Sequence, residues 1–210
     1  MPLANNVHLL DLNGDSRMDA VYNETVGAES DVVWLFLNSH GGYQKLKLKW
    51  WGQVKQLSFR EGRLAALNLL DFGCCAEYIE FETTYAFDHD LNAKPVFQRG
   101  TYFGTRRPTA GVLARPIPFS VLTDSVTLRT APLVDDTSTV VFDIHGRGNA
   151  LLKFGRGATG MIWANKTDSV GQEWHYVEMM PVKMTHGYLI YPKEEIPTRT
   201  LGWMRATDTH

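Results

Sequence analysis

Apolar residues in this chain stand in short runs at alternating positions, and helical spacing is poor throughout. This limits the fold more than any other property. Tyr78-Ile-Glu-Phe-Glu-Thr-Thr-Tyr-Ala-Phe87 alternates as a half-exposed strand does, since successive strand side chains point to opposite faces. Val7 to Leu10, Ala20 to Tyr22, Val32 to Leu37, Val54 to Phe59 and Leu64 to Leu70 are further short runs. Turn residues bound them: Asn38-Ser-His-Gly-Gly-Tyr43 and Glu61-Gly62 read as hairpin turns, and so does Asp88-His-Asp-Leu-Asn92. Lys45-Leu-Lys-Leu-Lys-Trp50 puts its lysines on one face. The expected fold class is all-β.

With 210 residues the chain has room for one large domain or two small ones. Residues 104–120 hold three prolines and two glycines, and each proline drives its predecessor towards extended conformations. We read that stretch as an extended linker between an N-terminal domain, residues 1–115, and a C-terminal domain, residues 120–210. Hydrophobic residues at 44% and charged residues at 21% are those of an ordinary soluble globular protein. A formal net charge of −2 offers no basic field for nucleic acid. No apolar run reaches the roughly 18 residues needed for a membrane span. Met1-Pro-Leu-Ala-Asn-Asn lacks the basic and apolar regions of a signal peptide, which leaves a removed signal and a cytoplasmic start both open. The only cysteines, Cys74 and Cys75, are adjacent, which excludes a disulfide framework. A vicinal disulfide, a reduced pair and a soft-metal ligand stay open, although one pair without a Cys or His cluster falls short of a zinc site.

Asp11-Leu-Asn13-Gly-Asp15-Ser-Arg17-Met-Asp19 has the most specific chemical reading in the chain. Oxygen-bearing side chains stand at alternate positions. A hard cation such as Ca²⁺ takes six to eight oxygens at about 2.3–2.6 Å. Asp11, Asn13, Asp15, Asp19 and the Arg17 carbonyl can supply five of them, so water or a remote carboxylate must complete the shell. Tyr22 stands where an EF-hand has its bidentate glutamate, and strand-like runs replace the two flanking helices. An Asx-rich turn without metal is the alternative.

This loop, followed by a strand ending in Phe36-Leu-Asn38 and then Gly41-Gly-Tyr43, resembles the FG-GAP/VCBS repeat of integrin-like and bacterial surface proteins, over about residues 5–45. The resemblance implies Ca²⁺ held between two strands by Asp11, Asn13, Asp15, the Arg17 carbonyl and Asp19. Ser16 departs from it, because the family usually has glycine there and only glycine takes positive φ freely. A propeller of such repeats needs at least four blades of about 40 residues each, more than residues 1–115 can close. The expected N-terminal domain is therefore a sheet or sandwich that borrows the calcium hairpin.

In the C-terminal part, Leu128-Arg129 with Pro132, Gly155-Arg-Gly157, Gly171 with Trp174 and Val177, and Gly202-Trp-Met-Arg205 follow in order. This series resembles the bacterial SH3-like (SH3b) domain over about residues 120–208 and implies a small barrel. The stretch 181–200 is longer than the family's usual connection and reads as an inserted hairpin. Such barrels bind peptides or cell-wall peptides through aromatics. Trp163, Trp174, Tyr176 and Trp203 are the candidates here, either as a ligand face or as packing in the barrel.

Catalysis needs a nucleophile beside a base, paired carboxylates or an open metal site. None of the seven histidines stands in a ligand pattern. No helix start follows Cys74-Cys75 to activate a thiol, and Glu80 and Glu82 read as a solvated strand face. The expected function is a non-catalytic, calcium-binding bacterial protein, periplasmic or extracellular, whose SH3-like domain binds a peptide, a peptidoglycan fragment or a protein partner. Two alternatives stay open: an accessory or targeting part of a cell-wall hydrolase, and an immunity or inhibitor protein against a toxin.

Overall fold

The computed structural model describes residues 7–26, 30–46, 50–72, 79–138, 148–181 and 198–209. Cys74, Cys75 and most of the expected inserted hairpin lie outside the described residues. The protein is all-β, with no α-helix among the described residues. None of these residues forms a helix long and apolar enough to cross a membrane. Two compact units divide the chain, Met1–Cys75 with Glu80–Gln98 and Ala76–Ile79 with Arg99–His210.

In the first unit, β1 (Val7–Leu10), β2 (Asp19–Val26), β3 (Ser30–Ser39) and β4 (Gly42–Lys45) follow one another in an antiparallel sheet, and β5 (Trp50–Trp51) pairs with β3. A second set holds β6 (Gln53–Arg60), β7 (Arg63–Phe72), β8 (Ile79–Phe87) and the start of β9 (Ala93–Tyr102). The turn from β6 to β7 puts Glu61 and Gly62 at φ of 52° and 76°, which matches the twist of a two-residue hairpin. Both sets contribute to one core: Leu12, Val21, Val33 and Leu35 from the first, Leu64, Leu67 and Leu69 from the second. Strand alternation brings Val33 and Leu35 of β3 to one face, and Leu67 and Leu69 of β7 likewise.

The chain passes to the second unit within β9, between Gln98 and Arg99. The proline-rich stretch 104–120 is only partly a connection. Its second half is strand β10 (Val112–Ser120), paired with β13 (Thr159–Thr167). Its register shifts between Val112 and Ile117, and it ends the sheet order, a place that tolerates proline. β13, β14 (Glu173–Met179) and β15 (Thr198–Arg205) pair in sequence, and β11 (Val126–Arg129) pairs with both β12 (Ala150–Phe154) and β15. The middle of this sheet is buried on both faces. Val177, Met179 and Met204 join Phe119, Leu128 and Phe154 on one side. Trp174, Tyr176, Leu201 and Trp203 pack together on the other.

Candidate functional site

The Asp11–Asp19 loop connects β1 to β2 and is anchored by two buried residues, Leu12 and Asp19, of which Leu12 is 0% exposed. Its amide donates to Asp19 Oδ2 at 2.8 Å, and its carbonyl accepts from the Leu64 amide at 2.8 Å. The residues around Leu12 stay near solvent. Asp11 gathers the turn: Oδ1 accepts from the Gly14 amide at 2.7 Å and Oδ2 from the Ser16 amide at 2.8 Å. Asn13 Oδ1 accepts from the Asp15 amide at 3.0 Å, and Asp15 Oδ1 from the Arg17 amide at 2.9 Å. The Arg17 amide, then Asn13, hold the Asp15 carboxyl below the usual range. Gly14 and Ser16 take φ of 76° and 65°. Ser16 therefore adopts the left-handed conformation for which the family pattern uses glycine, at the strain that a Cβ brings there.

Asp19 is 0% exposed. Besides Leu12, it accepts from the Asn38 amide, through Oδ1 at 2.7 Å. The loop is thus tied to the β3–β4 hairpin, and two further contacts reinforce the tie. Tyr43 donates its hydroxyl to the Met18 carbonyl at 3.0 Å, and Arg17 Nη2 lies 2.7 Å from His40 Nε2. Among the described residues no three His, Cys, Asp or Glu side chains converge as a metal-holding group. The donors at this loop are of another kind as well, an amide oxygen from Asn13 and the Arg17 carbonyl. An all-oxygen set fits a hard cation rather than zinc.

The second acidic turn is closed on itself. Asp88 Oδ1 accepts from the Asp90 and Asn92 amides, both at 2.9 Å, and Asn92 Nδ2 donates to Oδ2 at 2.9 Å. The Asn92 side chain and amide lead the causes that lower the Asp88 carboxyl.

The four aromatics named from the sequence do come together, but as packing. Trp174 and Trp203 are each 1% exposed, Tyr176 is 5% exposed, and Trp163 is partly buried against them. Tyr176 and Trp203 stack at 5.2 Å between centroids, tilted by 58°. The chain itself covers this face: Trp203 Nε1 donates to the Arg106 carbonyl at 2.6 Å, and the Arg106 amide donates to the Thr130 carbonyl at 2.7 Å. On the same face Glu178, 1% exposed, accepts from Trp163 Nε1 at 3.0 Å and from Arg99 Nε at 3.2 Å, with Arg199 Nη1 at 3.7 Å.

A cleft of about 520 Å³ opens beside this covered face. Arg106, Lys166 and Arg205 reach it, together with Leu133, Val134 and Val170. Apart from Arg205, in the Gly202-Trp-Met-Arg205 motif, these residues carry no signal in the sequence, because they come from separate segments with no spacing in common. The turn Asp168–Gly171 borders the cleft. There Asp168 accepts from the Val170 and Gln172 amides at 3.0 and 2.9 Å and from Trp174 Nε1 at 3.0 Å, the indole leading the causes that lower its carboxyl. Comparison with protein-family models, curated proteins and solved structures finds no match.

Proposed function

We propose that this is a non-catalytic bacterial binding protein of the periplasm or cell exterior. Its first unit is stabilised by Ca²⁺ at Asp11–Asp19, and its SH3-like second unit carries the recognition surface for a peptide, a wall fragment or a protein partner. The burial of Asp19 carries the calcium part. Its carboxylate is enclosed, its hydrogen-bond partners are two backbone amides, and no basic side chain is paired with it among the described residues. A buried charge held only by neutral donors gains from a cation nearby. Bound Ca²⁺ would supply that positive charge. Asp11, Asn13, Asp15, Asp19 and the Arg17 carbonyl would hold it.

Thermal melting in EDTA and then in added Ca²⁺ tests this. An ion that binds only the folded state stabilises by about 2.7 kcal/mol at a hundredfold excess over its Kd. Asp15→Ala is expected to abolish the rise in Tm while leaving the second unit folded. An unchanged Tm in the parent protein would sink the calcium reading.

A further inference from the structure

The cleft of the second unit is lined by three cations and one carboxylate. Lys166 faces Trp174 across β13 and β14, and Trp174 faces Arg205 across β14 and β15. Directly opposed residues share a face of the sheet, so two cations flank one indole. Arg106 joins them from the segment that covers Trp203, and its backbone is pinned on both sides, to Thr130 and to Trp203. All three cations are exposed, and none is ion-paired among the described residues. The one carboxylate lining the cleft is Asp168, held by two amides and the Trp174 indole, so the lining keeps an excess of positive charge. Against the cations stands an apolar lip: Leu133, Val134 and Val170 are 38%, 45% and 86% exposed.

We propose that this cleft binds an acidic peptide segment of a partner protein, its carboxylates meeting Arg106, Lys166 and Arg205 and an apolar side chain resting on Leu133, Val134 and Val170. The inference rests on the reading of the second unit as a binding module and names its partner. Charge complementarity selects the anion. The lip and the absence of an open aromatic platform select the peptide. Sugars and unpaired bases are commonly held by stacking on an exposed ring, and the only aromatic lining this cleft, Trp174, is 1% exposed. A net charge of −2 also denies the chain the broad basic field that nucleic acid needs.

Random peptides displayed on phage, selected on the immobilised full chain and sequenced, test the proposal. The expected winners carry Asp or Glu beside an apolar residue. The synthesised winner is expected to bind about tenfold more weakly when its acids become amides, and to weaken as salt rises. The double variant Lys166→Gln with Arg205→Gln is expected to lose about tenfold in affinity at unchanged Tm, while Lys166→Arg retains binding. Winners without acidic bias, or equal binding by the double variant, overturn the inference. So does single-stranded DNA binding that depends on the same two cations while no peptide is enriched. If no peptide is enriched but soluble peptidoglycan fragments bind, the inference falls and the binding-module reading stands. If no probe binds, both fall.

Discussion

Asp19 and Glu178 are the two deeply buried carboxylates of the described residues, one in each unit, and they are satisfied in opposite ways. Two neutral backbone amides serve Asp19. Two guanidinium groups and an indole serve Glu178. The difference is one of neutralisation. Around Glu178 cations inside the unit oppose the charge, so the carboxylate acts as a fastener between β9, β13, β14 and β15. Around Asp19 only dipoles oppose the charge, which is the observation behind the proposed calcium site. A buried charge held by dipoles marks a place to look for a ligand, whereas a buried ion pair speaks first for structure.

The strongest way to break this contrast is Glu178→Gln. It leaves Arg99 and Arg199 facing a neutral amide, and the expected loss is about 3–5 kcal/mol in urea unfolding, the same with or without Ca²⁺. Asp19→Asn comes next. The amide keeps one acceptor and turns an NH₂ towards the Leu12 or Asn38 amide, at an expected cost of about 1–3 kcal/mol in EDTA. In Ca²⁺ the gap to the parent protein should widen by the full calcium stabilisation. An equal gap in both conditions would place Asp19 among the purely structural carboxylates, beside Glu178.

Ser16→Gly sharpens the comparison from the other side. It removes a Cβ from a residue at φ 65° and should stabilise the first unit by about 1 kcal/mol, read as a rise in Tm. The smallest effect concerns pH in the second unit. Burial lowers the His175 pKa, with Glu173 opposing, so the folded state prefers the neutral ring. That contribution is present above the unfolded value of about 6.5 and is lost as pH falls through the folded one. Unfolding midpoints measured downwards from neutral pH should decline less in His175→Gln than in the parent protein.

Much of the strand order could be read from the chain. The runs that include Val7, Ala20, Val32, Val54, Leu64 and Ile79 fall in strands, and alternation records the more covered face of each. Residues 104–120 were misread as a linker since proline and glycine signal interruption locally. That β10 ends a sheet, where a missing N–H costs little, is a property of the tertiary arrangement. The aromatics were ambiguous for a related reason. A strand buried on both faces looks the same in sequence whether its second face meets protein or ligand, and only the path of Arg106 over Trp203 decides for packing. The acidic loop was legible because its donors lie within one short segment. The cations of the cleft are distant from one another in sequence and left no pattern to find.

The prolines of β10 bear on solubility at high concentration. β10 is the outermost strand in its sheet order, and a bare outer strand invites sideways pairing with another chain. Pro116 and Pro118 remove two donors from it, and Arg115 adds charge. Val112 and Ile117, 63% and 50% exposed, can therefore face water there with less risk of seeding fibrils.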